Sequence, residues 1–161
     1  MILIGLGANL PSPAGPPLET LKAALSALAP NGATPRAVSR FYESMAWPDP
    51  SDPSFVNAVA RVESALAPDA LLAQLKAIER SFGRREAPAN APRPLDLDIL
   101  DYDGRVEAGP PILPHPRMES RAFVLVPLGD VAPDWRHPVS GRSVEDLIAA
   151  LSDASEVKPI A

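Results

Sequence analysis

Twenty-one of the 161 residues are proline. Proline constrains a fold more than any other residue, because it fixes φ near −65° and has no amide proton for a helix or a ladder. Helices are therefore expected to start at prolines, and inner strands to run between them. Proline and glycine together number 30 of 161, short of the ~25–30% that marks a low-complexity chain. Hydrophobic residues make up 46%, enough for one core, and the length suits a single domain over residues 1–161. The prolines are expected to stiffen long loops around it.

Between the prolines the apolar pattern alternates between two periods. Ile2 to Gly7 reads as a short buried strand. After Pro16-Pro17, Leu18, Leu21, Leu25 and Leu28 recur at helical spacing until Pro30-Asn31-Gly32 stops them. Val38 to Tyr42 and Phe55 to Glu63 read as strands, and in the second Phe55, Asn57 and Val59 share one face. Pro68-Asp69 opens a helix with a Leu71, Leu75, Ile78, Phe82 stripe, ended by Gly83. Leu95 to Tyr102 and Phe123 to Leu128 read as further strands, and Ser143 with Asp146 has the spacing of a capping box before a last helix. Strand, helix, strand, strand, helix, strand is the split βαβ order. An α+β ferredoxin-like fold is expected, its largely antiparallel sheet packed by helices in α-β-α layers.

Charge narrows the partners. Fifteen basic against twenty acidic residues give a net charge of −5, so the overall field opposes nucleic acid and anionic membrane. An anionic ligand would need a local basic pocket. The chain has no cysteine, which removes disulfides, thiolate catalysis and Cys-bound zinc. No run approaches the ~18 apolar residues of a membrane span, and the start lacks the pattern of a signal peptide. A cytoplasmic monomer acting on small molecules is the expectation.

The chemistry concentrates in Leu95-Asp96-Leu97-Asp98-Ile99-Leu100. Strand period puts Asp96 and Asp98 on one face, Cβ atoms about 6–7 Å apart, and Leu95, Leu97 and Ile99 on the other. Two like charges there must be bathed in solvent or neutralised by a cation. Carboxylate oxygens at that spacing suit one or two Mg²⁺ ions that take their other ligands from water and phosphates. A solvated strand face is the commoner outcome for an isolated pair, but this pair has cationic surroundings. Arg80, Arg84, Arg85 and Arg93 precede it with only Glu86 among them, and Pro114-His115-Pro116-Arg117-Met118-Glu119-Ser120-Arg121 brings a second basic cluster. Arginine suits multidentate contact with phosphate. Familiar phosphate loops are absent: Gly5-Leu6-Gly7-Ala8-Asn9-Leu10 lacks the third glycine of the dinucleotide fingerprint, and no G-x-x-x-x-G-K-[ST] occurs. Phe41, Tyr42, Trp47 and Phe55 bracket the first proline-rich loop, and with Phe123 they could pack in the core or sandwich a flat ring.

These segments resemble the 6-hydroxymethyl-7,8-dihydropterin pyrophosphokinases of folate biosynthesis. The resemblance runs from Gly5-x-Gly7-x-Asn9-Leu10 through Phe41-Tyr42-Glu43-Ser44, Phe55-Val56-Asn57-Ala58 and Ile78-Glu79-Arg80-x-x-Gly83-Arg84. It continues through Pro92-Arg93-Pro94-Leu95-Asp96-Leu97-Asp98-Ile99-Leu100 to Pro114-His115-Pro116-Arg117-Met118 and Arg121-Ala122-Phe123-Val124-Leu125. It implies a ferredoxin-like fold and transfer of the β,γ-diphosphate of ATP to the hydroxymethyl group of a reduced pterin, releasing AMP. By position, Asp96 and Asp98 would hold two Mg²⁺. Glu79, Arg84, Arg93, His115 and Arg121 would line the ATP site, with Arg84 and Arg93 sharing the catalytic role with the two aspartates. Asn57 would read the pterin's hydrogen-bonding edge, Phe55 and Phe123 would stack on its faces, and Gly7, Ser44, Met45 and Trp47 would lie near its rim. Such a transfer depends on alignment and charge neutralisation more than on covalent chemistry.

The chain departs from the family pattern in places. Ala89-Asn90-Ala91 stands where members commonly carry Arg-Trp-Gly, and Ser44-Met45-Ala46-Trp47 replaces the usual Thr-Pro-Pro-Leu. Phe55 replaces a frequent Tyr, and Lys76 a Gln. The two proline-rich loops are expected to close over bound nucleotide. Two other readings use the same residues: a Mg²⁺-dependent phosphohydrolase, and a ligand-binding module without catalysis.

Overall fold

The computed structural model describes residues 1–45, 49, 51–85 and 91–160. Its elements are β1 (Ile2–Ala8), α1 (Pro17–Leu28), β2 (Thr34–Val38), β3 (Tyr42–Ser44), β4 (Phe55–Glu63), α2 (Pro68–Ser81), β5 (Asp96–Tyr102), α3 (Ala122–Val131), α4 (Val144–Ala149) and β6 (Lys158–Pro159). As expected from the proline pattern, α1 and α2 each carry proline at the first turn, where the missing amide proton costs nothing. Gly32 ends the turn after α1 at φ 93°. Ser143 caps α4, its hydroxyl accepting from the Asp146 N–H at 3.1 Å.

The sheet runs β5-β1-β4-β3-β6, with β2 also paired to β4, and every pairing is antiparallel. This is the split βαβ arrangement, and β3 and β4, which residues 45–54 join, do pair. Each face of the sheet has its own core. Ile2, Ile4, Leu6, Ala58, Ala60, Val62, Leu95, Leu97 and Ile99 point to one side and pack with Leu21, Leu28, Leu71, Leu75 and Ile78 of α1 and α2. Leu3, Val59 and Leu100 point to the other and meet Leu125, Leu128 and Leu147 of α3 and α4. The two-residue period of three antiparallel strands thus yields the α-β-α layers.

The strand expected over Val38 to Tyr42 is two strands. Val38 pairs with Ala60 and Tyr42 with Asn57, so the outer chain carries one residue more than β4 between those points, the count of a β-bulge. Ser39 fills the gap: its N–H donates to Val59 O and its hydroxyl accepts from Val59 N–H, both at 2.9 Å. The strand expected over Phe123 to Leu128 is a helix. A short apolar run fits either element, but its continuation to Val131 completes a helical stripe of Val124, Leu125, Leu128 and Val131 buried on the sheet. Pro127 sits inside α3. The short β6 against β3 has no distinctive sequence signal. No helix among the described residues is long and apolar enough to cross a membrane.

Leu75 is 1% exposed at the contact of α2 with the first core. Leu75→Ala is expected to lower stability by about 2–5 kcal/mol, the cost of the lost burial plus a cavity, read as a shift in urea midpoint at unchanged slope.

Candidate functional site

Register places the chemistry. Asp96 on β5, Gly7 on β1, Asn57 on β4 and Tyr42 on β3 are partners in one row across the sheet, and Asp98, Gly5 and Val59 form a parallel row on the same face. Glycine in the middle strand leaves the floor between acid and amide bare. A Cβ at Gly7 would lie 2.7 Å from Asn57 Nδ2, and one at Gly5 3.4 Å from Leu100 Cδ2. The Gly-x-Gly of the N-terminus, which has no phosphate-loop context, thus forms part of the floor of a cleft of about 560 Å³. Its walls are Ser44-Met45, the turn from His115 to Arg121, Phe123 on α3, and the 153–157 segment.

At the acidic end, Asp96 Oδ1 accepts from Arg84 Nη1 at 2.6 Å and Asp96 Oδ2 lies 3.6 Å from Arg93 Nη1. Glu79, only 2% exposed, sits behind this pair and does not line the cleft. Its Oε2 accepts from the Leu97 N–H at 2.7 Å and from Arg84 Nη1 at 2.8 Å. Burial raises the Glu79 carboxyl above its usual range, against the pull of the Leu97 N–H, Lys76 and Arg84. Arg84 likewise does not line the cleft, because Glu79, Asp96 and the Leu95 carbonyl already hold its guanidinium. Both residues, expected at the ATP site, lie outside the lining of this cleft and touch it through Asp96.

Asp98 is the strained member. Burial first and neighbouring Asp96 second push its carboxyl up to about 7. His115 Nε2 lies 4.0 Å from Asp98 Oδ2, and burial, then the Arg121 charge, pull the imidazole down to about 4. The ring is therefore neutral at pH 7. Its Nδ1 accepts from the Arg117 N–H at 3.3 Å, which leaves the proton on Nε2, the atom nearer Asp98. Arg121 extends along the Phe123 ring, its guanidinium carbon 5.4 Å from the centroid, and burial lowers its pKa.

The opposite end is polar but unsatisfied. Asn57 is 7% exposed, and its Oδ1 and the Ser44 Oγ are buried with no hydrogen-bond partner among the described residues. Buried polar atoms without a partner that line a cleft are open to hydrogen bonds from a ligand. Phe55, Phe123 and Met45 supply apolar surface beside them. Gly7, Ser44, Met45, Phe55, Asn57, Arg93, Asp96, Asp98, His115, Arg121 and Phe123 are thus brought together in one cleft. Trp47 lies outside the described residues, as does part of each proline-rich loop expected to close. Sequence reasoning missed Arg117 and Ser120 as cleft residues, although the basic cluster that carries them was visible. It also missed Asp153, Glu156 and Val157, which no motif announces.

The aspartate pair fits Mg²⁺. Among the described residues no three His, Asp or Glu side chains group as a complete metal cage, but Mg²⁺ is normally held by one or two carboxylates and completes its shell with water and phosphate. Burial and the neighbouring Asp96 raise the Asp98 carboxyl, and a cation bound beside the pair would favour its ionised form.

Comparison with known proteins gives a consistent result. Residues 3–133 match the model of the 7,8-dihydro-6-hydroxymethylpterin-pyrophosphokinase family. The 2-amino-4-hydroxy-6-hydroxymethyldihydropteridine pyrophosphokinase of Synechocystis sp. is 39% identical over 161 residues, 99% of this chain and 80% of that protein. The protein of the same name from Pseudomonas aeruginosa is 42% identical over 151 residues, 92% of this chain and 90% of that one. Among solved structures, the wild-type HPPK-DHPS of Plasmodium falciparum with pteroate superposes with a TM-score of 0.71 at 13% identity. That match covers 91% of this chain and 43% of the other, so this chain spans less than half of the solved protein, and the likeness supports the fold.

Because ionising Asp98 is harder in the folded protein than in the unfolded chain, the sign of its linkage is destabilising. The folded state holds this proton from about pH 4, the unfolded carboxylate value, to about pH 7, so the contribution of Asp98 makes stability fall as pH rises through that window. Asp98→Asn is expected to raise the Tm of the chelator-treated protein at pH 8, with the gain shrinking toward pH 4; thermal melts across that range check it.

Proposed function

The chain belongs to the 7,8-dihydro-6-hydroxymethylpterin-pyrophosphokinase family, and we propose how the cleft performs the family's reaction. The enzyme transfers a pyrophosphoryl group from ATP to the hydroxymethyl group of 6-hydroxymethyl-7,8-dihydropterin in folate biosynthesis. In that transfer the hydroxymethyl oxygen forms a bond to the β-phosphorus, the bond from that phosphorus to the α,β-bridging oxygen breaks, AMP leaves, and the hydroxyl proton is released.

The observation that carries the assignment of ends is the pair of sheet rows, which put Asp96 and Asp98 on the same face as Asn57 across a glycine floor. ATP is assigned to the acidic and basic end. Asp96 and Asp98 would hold two Mg²⁺ ions, which when bound neutralise phosphate charge and align the β-phosphorus. Arg93 and Arg121, with His115 donating from Nε2, face the phosphates; charge developing on the leaving oxygen is what they stabilise. Arg84 acts from behind, fixed by Glu79, where it sets the Asp96 carboxylate. The pterin is assigned to the far end, with its donor edge on Asn57 Oδ1 and Ser44 Oγ, its ring between Phe55 and Phe123, and Met45 at the rim. One chain supplies both substrate subsites, so this reading needs no second copy.

The direct test is incubation with ATP, Mg²⁺ and the hydroxymethyl pterin. AMP is expected only when pterin is present; inorganic phosphate released without pterin would instead favour a phosphohydrolase. Asp96→Ala and Asp98→Ala are each expected to cut kcat by a factor of about 10³ or more while circular dichroism stays unchanged, because the leucine face of β5 is untouched. Gly7→Ala is expected to weaken pterin binding selectively by driving a methyl into Asn57, read by pterin fluorescence titration.

A further inference from the structure

Behind the basic turn lies a second set of polar contacts that never reaches the cleft. The 3₁₀ turn Met118–Ser120 anchors through Met118, fully buried in the second core, and is flanked by Arg117 and Arg121. Its Glu119 Oε1 lies 3.4 Å from His137 Nε2. His137 is only 6% exposed, and its Nδ1 accepts from the Val139 and Ser140 N–H groups, each at 3.2 Å. With Nδ1 committed as an acceptor, the ring proton sits on Nε2 and faces the Glu119 carboxylate.

The contacts continue to the acidic strand. The His137 ring stands edge-on to Trp135, with centroids 5.8 Å apart at 85°. Trp135 Nε1 donates to Asp101 Oδ2 at 2.8 Å. Asp101 is a buried residue of β5, three positions beyond Asp98, and its Oδ1 accepts from the Gly104 N–H. On the near side, the His115 N–H donates to the Leu100 carbonyl of β5 at 2.9 Å. The segment carrying Arg117 and Arg121 is therefore connected to β5 twice: directly through His115 just before it, and from its middle through Glu119, His137, Trp135 and Asp101.

We propose that Glu119 and His137 are positioning residues for pyrophosphoryl transfer, holding the 117–121 turn so that Arg117 and Arg121 face Asp96 and Asp98 at the distance the ATP phosphates require. This rests on the assignment of Arg121 to the phosphate end. A buried imidazole whose Nδ1 accepts two N–H groups and whose Nε2 stands 3.4 Å from a carboxylate does more than fill space, since an apolar side chain would fill it without the cost of dehydrating polar atoms. Neither residue lines the cleft, so their effect passes through the arginines. Small misplacement of such groups is enough to cost rate.

The test uses the full-length enzyme. Glu119→Ala removes a side chain that is 40% exposed and is expected to leave Tm nearly unchanged. It should lower kcat/KM for ATP by about tenfold and leave the pterin Kd, measured without nucleotide, within about twofold. Glu119→Gln keeps an acceptor oxygen for His137 and should restore most of the loss. His137→Phe should reproduce the ATP defect, and the double variant Glu119→Ala with His137→Phe should lose no more than either alone, as expected for one shared contact. An unchanged kcat/KM for ATP in Glu119→Ala, an equal loss of pterin affinity, or additive losses in the double variant would each overturn the proposal. Arg121→Ala separates the two levels: if it leaves ATP use intact, the phosphate assignment itself fails, whereas an ATP defect in Arg121→Ala but not in Glu119→Ala refutes the positioning role alone.

Discussion

Two carboxylates placed two residues apart on one face of a strand repel each other, and the surroundings of the cleft answer that repulsion. Asp96 is neutralised from behind by Arg84 and approached by Arg93. Arg84 is held in turn by Glu79, which also accepts from the Leu97 N–H between the two aspartates. One buried carboxylate thus fixes both the strand and the cation beside it. Asp98 has no comparable partner among the described residues: His115 stands 4.0 Å away and neutral, and the carboxyl is pushed up to about 7 by burial and by Asp96. Both aspartates face the cleft, where a bound metal–phosphate substrate would supply positive charge.

The same strand must serve a core and a site at once, and the two-residue period lets it. Leu95, Leu97 and Ile99 are buried against the first helical layer while Asp96 and Asp98 face the other way. Between Ile99 and Asp101, Leu100 is the extra residue opposite the Leu3–Ile4 step of β1, and from there the second face returns to apolar packing under α3. The site occupies the stretch where that second core stops. Gly5 and Gly7 keep the floor open at that point, and a side chain at either would meet Leu100 or Asn57.

Much of this was legible in the amino-acid order. The alternation across residues 95–100 determines the two faces of β5 whatever the neighbours do, and the prolines at 17 and 68 mark helix starts because their missing amide proton is tolerated there. The resemblance put Gly7 near the pterin rim, but the floor that Gly5 and Gly7 form was not legible, since it exists only once β1 lies between β4 and β5. The resemblance carries Glu79 and Arg84 to the ATP site by position, but which side of the strand they approach depends on how α2 packs and was not legible. The stretch after Arg121 defeats sequence reasoning because a short apolar run satisfies both periods, and only its docking on the sheet chooses helix. Asp153 and Glu156 enter the cleft through the β3–β6 pairing, a contact between segments more than a hundred residues apart with no motif at either.

On this reading one cleft holds metal and phosphate at Asp96 and Asp98 and the pterin at Asn57, on either side of the glycine floor. A crystal structure with Mn²⁺, a nonhydrolysable ATP analogue and the hydroxymethyl pterin tests it most directly, because manganese is located by its anomalous scattering. The expected result is anomalous density coordinated by both aspartates, phosphates against Arg121, and the pterin edge on Asn57 Oδ1. Manganese bound away from Asp96 and Asp98, or a pterin that leaves Asn57 Oδ1 unpaired, would contradict it.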